Sequence, residues 1–151
     1  MPVILLACLA ALPGCQSNSA AENSSEREVW EAYYLQGAKV GYGSTTIRPA
    51  QRRGTSGHEV DANTHLAISR FGQRVEQNVA MSCFENDAGD LLEFKTSIDS
   101  GPAPTVVSGR VEGQELVMEV QTKGRTQSFR SPWQSDTGGF QAIERSLETK
   151  P

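Results

Sequence analysis

The stretch that decides the fold runs from His58 to Phe84, HEVDANTHLAISRFGQRVEQNVAMSCF. On both sides of Phe71-Gly72 apolar and polar residues alternate, the period of a half-buried strand. A two-residue loop at Phe71-Gly72 sets Ile68 opposite Val75, Thr64 opposite Val79, Ala62 opposite Met81 and Val60 opposite Cys83. All eight residues share one face. A one-residue slip would turn the whole set outward, so the agreement of the two strands fixes the register.

The same test extends in both directions. A four-residue loop, Asn86 to Gly89, sets Cys83 opposite Leu92 and Met81 opposite Phe94. A loop at Gly113-Gln114 sets Val111 opposite Leu116, Gly109 opposite Met118 and Val107 opposite Val120. A loop at Lys123-Gly124 then sets Met118 opposite Phe129. Upstream, a hairpin turning near Gly37-Ala38 sets Leu35 opposite Val40, Tyr33 opposite Tyr42 and Tyr34 opposite Gly41. An aromatic opposite a glycine can cover the bare strand backbone. Gly101-Pro102-Ala103-Pro104 separates the two halves of the sheet, because proline cannot donate to a ladder. After Pro132-Trp133 the period changes: Phe140, Ile143 and Leu147 fall at helical spacing behind Ser135, Asp136 and Thr137 as caps. The expectation is an all-β domain over 29–151. It is an antiparallel meander of about eight strands, an open or half-closed barrel, with one short C-terminal helix from about Gly139 to Glu148.

The N-terminus reads as an address. Val3 to Leu12 is an uncharged apolar run of ten residues, short of the roughly 20 a membrane-spanning helix needs. It suits the core of an export signal. The run ends in Leu12-Pro13-Gly14-Cys15, which resembles a bacterial lipobox: leucine three residues before, and a small residue just before, a cysteine whose thiol receives a diacylglycerol. Pro13, and the lack of Lys or Arg ahead of the run, depart from that pattern. Residues 1–15 are therefore expected to be an export signal, with Cys15 as the lipidation site. Residues 16–28, with no large apolar side chain, are expected to be a flexible tether. The resulting localisation is exported and membrane-anchored, in the periplasm or at the cell surface.

The 151 residues carry 14 Lys+Arg and 18 Asp+Glu, a net charge of -4, which excludes a non-specific nucleic-acid binder. Chemistry-bearing residues are few. Cys83 is the sole internal cysteine once Cys8 and Cys15 are set aside, so no intramolecular disulfide can form. Its parity turns it inward beside Val60 and Leu92, with His58 on the same face as a diagonal neighbour. A nucleophilic thiol needs a lowered pKa and an open position, so Cys83 reads as packing. His58 and His65 are seven apart and point to opposite faces, which keeps them from sharing a metal. Glu59, Asp61, Glu76, Glu85 and Glu93 read mostly as a solvated polar face, and Arg48, Arg52, Arg53 and Gly54 as a solvated basic loop. The sequence thus calls for no catalytic residue, no metal and no cofactor.

Two segments carry a family resemblance. Trp30 to Tyr42, WEAYYLQGAKVGY, resembles the opening of the mature part of planctomycete-type exported proteins with a transglutaminase-like domain. Ser131 to Pro151, SPWQSDTGGFQAIERSLETKP, resembles the segment that closes the first region of the same family. The Arg70-Phe71-Gly72 turn also fits. The resemblance implies that this chain is the N-terminal, non-catalytic region. In the family, further β structure and a papain-like Cys-His-Asp domain follow, so no catalytic residue carries over. The first expected function is an exported, membrane-tethered accessory module, not an enzyme, whose partners are the membrane through Cys15 and a protein. The alternative is a periplasmic carrier that holds an acyl chain or another apolar ligand in a curved sheet lined by Met81, Phe94, Met118 and Phe129. The third is an enzyme using Cys83 or the surface carboxylates.

Overall fold

The computed structural model describes residues 26–134, 138–140 and 142–143. Cys15 and most of the expected tether lie outside the described residues. Eight strands follow one another along the chain: β1 Arg27–Leu35, β2 Ala38–Arg52, β3 Thr55–Arg70, β4 Gln73–Asn86, β5 Leu91–Asp99, β6 Thr105–Glu112, β7 Glu115–Thr122 and β8 Arg125–Pro132. They form one antiparallel sheet in the order β1-β2-β3-β4-β5-β6-β7-β8, with β1 and β8 at its edges. The all-β meander is as the alternation predicts, and the sheet is not closed into a barrel. β1 begins at Arg27, two residues before the expected domain start at Val29.

The β3–β4 hairpin has the expected register throughout, from Ile68 opposite Val75 to Val60 opposite Cys83. Its turn places Phe71 at φ 52° and Gly72 at φ 75°. Positive φ at both central positions is the tight turn whose twist matches that of the strands, and glycine takes the second position without strain. Gln36-Gly37, Arg53-Gly54 and Lys123-Gly124 repeat this geometry. The β6–β7 and β7–β8 registers also match expectation, with Val111 opposite Leu116 and Met118 opposite Phe129.

Two expected registers are corrected by β-bulges. Between β4 and β5, Cys83 lies opposite Phe94 rather than Leu92, and Met81 opposite Thr96 rather than Phe94. The loop is five residues, Asn86 to Asp90, closed by the Asn86 amide donating to the Asp90 carbonyl (3.1 Å) and the Asp90 amide donating to Asn86 Oδ1 (2.9 Å). Leu92 is then an extra residue opposite the Phe84–Glu85 step. The longer loop and the bulge together displace the register by two, so every side chain keeps its face. Between β1 and β2 the turn is Gln36-Gly37, Leu35 lies opposite Ala38, and Val40 is the bulged residue. Tyr33, not Tyr34, lies opposite Gly41, and Ala32, not Tyr33, opposite Tyr42. The aromatic cover of a bare backbone exists one residue earlier than expected. A Cβ on Gly43 would meet the Tyr33 hydroxyl at 2.5 Å.

Three further expectations change. Arg48 and Arg52 belong to β2, and the expected basic loop is the tight β2–β3 turn. Gly101–Pro104 is a connection, but β5 pairs β6 across it, so the sheet is continuous. Of the expected C-terminal helix, Phe140, Ala142 and Ile143 are helical, the Ile143 amide donating to the Gly139 carbonyl at 3.3 Å; the rest lies outside the described residues.

The registers line up one cross-strand row through every strand: Arg27, Ile47, Val60, Cys83, Phe94, Gly109, Met118 and Phe129. It runs along the apolar face. Phe94 lies over Gly109, where an added Cβ would come within 2.7 Å of Phe94 Cζ and nearer still to Cε1. Burial is concentrated near one end. Val60, Cys83 and Phe84 are the buried hydrophobic residues among those described, and Glu85 is fully buried with them. Elsewhere the apolar face is half-buried or open, with Val29, Ile68, Val75 and Phe129 exposed.

Candidate functional site

Three groupings of side chains carry chemistry. The first is the buried end of β4. Cys83 donates a hydrogen bond from Sγ to Glu85 Oε1 at 3.5 Å. His58 lies directly opposite Glu85 in the ladder and diagonal to Cys83, as expected. His58 Nδ1 is buried and has no hydrogen-bond partner among the described residues. Glu85 is the correction here: parity with Cys83 puts it on the apolar face, not the polar one. A strap from the C-terminal segment supplies a donor to it there. The Phe140 amide donates to Glu85 Oε1, Gly139 lies against the Glu85 side chain, and the Gly139 amide donates to the Gly89 carbonyl at 3.0 Å. A short bridge between Asp90 and Gly138 adds to the strap.

Cysteine and carboxylate are therefore joined, with His58 beside them in the ladder, but the thiol is in the wrong protonation state for attack. Burial, then the negative charge of Glu85 and the hydrogen bond to it, push the Cys83 thiol up to about 12. A nucleophile requires the opposite shift. The cluster joins the strap to the sheet and holds the thiol protonated.

The second grouping is an ion-pair network on the polar face. Arg48 bridges Glu59 at 3.1 Å and Asp61 at 2.8 Å. Asp61 first, and Glu59 second, raise the Arg48 pKa above its usual value. Arg52 pairs with Glu59 and reaches across β4 to Glu93 at 3.1 Å; Arg53 pairs with Glu93 at 3.2 Å. On the way the Arg52 guanidinium lies 5.6 Å from the centre of the Phe84 ring. That contact explains how an aromatic on the polar face is buried. These arginines are solvent-exposed, as expected, and their charges are met by Glu59, Asp61 and Glu93. His65 is on this face too, its Nδ1 2.7 Å from Asn78 Oδ1 and its ring 5.3 Å from that of Tyr42.

The third grouping is a pair of clefts on the polar face that share Ser82 and Lys95 as a wall. One, of about 490 Å³, lies over β4 to β7 and takes in Arg52, Arg53, Glu93, Lys95, Arg110 and Glu119. The other, of about 460 Å³, takes in Asp61, Asn63 and Ser97. Of the four expected ligand-lining residues, Phe94 borders the first cleft and Met81 the second, whereas Met118 and Phe129 border neither and pair with each other across β7 and β8. Sequence reasoning missed the clefts, since alternation says which face a residue takes but not how the sheet curves. Among the described residues no group of three or more His, Cys, Asp or Glu side chains is arranged to hold a metal ion. No described helix is long and apolar enough to cross a membrane. Compared with known families, curated proteins and solved structures, the chain matches none.

Proposed function

We propose that this chain is an exported, membrane-tethered, non-catalytic β module, accessory to a transglutaminase-like domain supplied from outside these 151 residues. One observation carries the reading: a single sheet layer whose apolar face is, among the described residues, open over most of its length. Val29, Ile68, Val75 and Phe129 are exposed, and Met81, Phe94, Val107, Met118 and Val120 are half-buried. Stable domains cover such a face with a second layer, and a large exposed apolar patch marks an interaction surface. A protonated, buried Cys83 fits a scaffold role. The apolar run ending at Cys15 supports the tether.

The experiment has two readouts on the full chain. Cys15→Ala should move the protein from the membrane pellet to the soluble exported fraction; a variant retained as fully as wild type refutes the lipid anchor. The purified chain should bind an apolar dye such as anilinonaphthalene sulfonate while it keeps a cooperative unfolding transition. A dye-silent monomer refutes the open docking face, and a stable dimer assigns that face to a second copy instead.

A further inference from the structure

We propose that the β1–β3 part of the polar face is a carbohydrate-binding surface. A neutral, β-linked glycan stacks there on Trp30, Tyr42 and His65 and sets its hydroxyls among the amide and hydroxyl groups beyond them. These residues point away from the apolar face, so the site is independent of the docking role given to that face.

The polar face has no core to fill, yet its first strands carry large rings. The Trp30 and Tyr42 ring centroids lie 6.2 Å apart, and those of Tyr42 and His65 5.3 Å apart. Together they cross β1, β2 and β3 in one line. Tyr34 shares the parity of Trp30 on β1. Cross-strand aromatic pairs stabilise a sheet, which accounts for part of the arrangement. That pairing leaves much of each ring uncovered: Trp30 is 63% exposed, Tyr34 66% and Tyr42 45%. Clustered, open Trp and Tyr are the side chains that dominate binding surfaces, because each offers a large rigid contact and a polar tip.

Two adjacent cross-strand rows lead from the rings into hydrogen-bonding groups. Trp30 opens the row that continues through Ser44, Asn63, Ala80 and Ser97. Tyr42 and His65 continue to Asn78 and Asp99. The smaller cleft, of about 460 Å³, lies over the end of the first row, where Ala80 and Ser97 are short and Asn63 and Asp61 form a wall. His65 Nδ1 donates to Asn78 Oδ1 at 2.7 Å, which leaves Nε2 as an acceptor and the Asn78 amide hydrogens as donors. A pyranose presents an apolar patch of ring C–H bonds and a rim of hydroxyls, each both donor and acceptor. Rings bordered by amides and hydroxyls match both parts.

Charge and shape narrow the class. Asp61 and Glu59 are matched by Arg48 and Arg52, and Glu76 by Arg74. Lys39, 6.0 Å from the centre of the Tyr42 ring, and Lys95 stand against Glu28 and Asp99. No excess of either sign selects an ion, so the ligand is neutral. Three rings across three strands span about 10 Å, which calls for consecutive sugars of an extended chain. Equatorial β-linkages make such a chain a flat ribbon with its C–H faces open to stacking, whereas α-linked glucans coil.

The test is calorimetric titration of the purified full chain with cellohexaose and with chitohexaose, the α-linked maltohexaose serving as control. A Trp133→Phe protein, in which Trp30 is the one remaining tryptophan, is titrated in parallel by fluorescence. The expected result is saturable binding of at least one β-linked hexasaccharide, with a shift of the Trp30 emission, and none of maltohexaose. Trp30→Ala should weaken binding by about tenfold or more, the loss of one stacked ring. Trp30→Phe should retain most of it, Asn63→Ala should weaken it, and Phe71→Ala, on the β3–β4 turn, should match wild type. If Trp30→Ala loses its circular dichroism, Asn63→Ala decides in its place. Absence of saturable binding of both β-linked probes, equal affinity for maltohexaose, or equal binding by Trp30→Ala and Phe71→Ala overturns the site. A dimer of the unliganded chain that Trp30→Ala separates assigns the rings to a second copy and overturns it as well.

Discussion

Gly109→Ala offers a test in which the sign of the effect depends on one side chain. A glycine inside a strand ordinarily costs stability, about 0.5–1 kcal/mol relative to alanine, because its backbone loses more freedom on folding. On that basis alone the substitution should stabilise β6. The structure reverses the expectation. An alanine Cβ at 109 would stand 2.7 Å from Phe94 Cζ and closer to Cε1, where 3.4–4 Å is ordinary contact. The ring must therefore withdraw by about 1 Å or change rotamer, and it is hemmed in by its own row, with Cys83 opposite it on β4. Forcing a methyl into such a place costs about 1–3 kcal/mol. Gly109→Ala should thus destabilise the protein by that amount. With urea slopes of about 1–3 kcal/mol/M, the midpoint should fall by roughly 1 M. In a Phe94→Ala background the same change should become neutral or stabilising. Urea titrations of the four proteins, followed by far-ultraviolet circular dichroism, give the coupling energy directly. Stabilisation by Gly109→Ala with Phe94 in place, or equal effects in both backgrounds, would falsify the reading that Phe94 roofs the Gly109 backbone.

Two further predictions concern the buried end of β4. Cys83 titrates higher in the folded chain than in the unfolded one, so the folded state loses relative stability once unfolded thiols ionise; between pH about 8.5 and 12 the loss should approach 1.4 kcal/mol per pH unit. Cys83→Ala should remove this part of the slope, and equal alkaline slopes for the two proteins would show that the thiol is not held protonated. Gly139→Ala would place a Cβ 2.7 Å from Glu85 Cγ and nearer to its carboxyl carbon. It should release the strap, seen as faster exchange of the Phe140 amide, while the Val60 amide remains protected; unchanged Phe140 exchange would mean that Gly139 is not pressed against Glu85.

The hairpins joined by two-residue loops were legible because alternation on both strands had to agree, as at Ile68–Val75 and Met118–Phe129. The two misread registers each contain a bulge, at Val40 and at Leu92. A bulge leaves little trace in a polar/apolar pattern, and at Leu92 the longer loop restored the parity. Arg53-Gly54 carries the same turn signal as Phe71-Gly72, but the surrounding arginines hid it behind a charge argument. Glu85 could have been assigned to the face of Cys83 by counting two residues along β4. A donor to it there, however, is the amide of Phe140, 55 residues away, which no local pattern reveals. The clefts depend on the curvature of several strands together. Cys83 as a packed side chain was readable from parity alone, and its burial agrees.

The unbroken strand order also determines how the chain assembles. Every strand pairs with its neighbours in sequence, so the sheet can grow as a zipper, each hairpin closing a loop of a few residues. Such a topology has short contact separations for an all-β protein and belongs with the faster folders of that class. β3 and β4 pair over 14 residue positions, from Gly57–Asn86 to Arg70–Gln73, and are the natural nucleus. Growth outward from them leaves β1 and β8 to join last and fray first. The strap is the exception. Its tie from Phe140 to Glu85 spans 55 residues, so loop-closure entropy favours its forming after the hairpins. It therefore acts as a late clasp that links the final strand to the nucleus and converts a row of neighbouring hairpins into one cooperative unit.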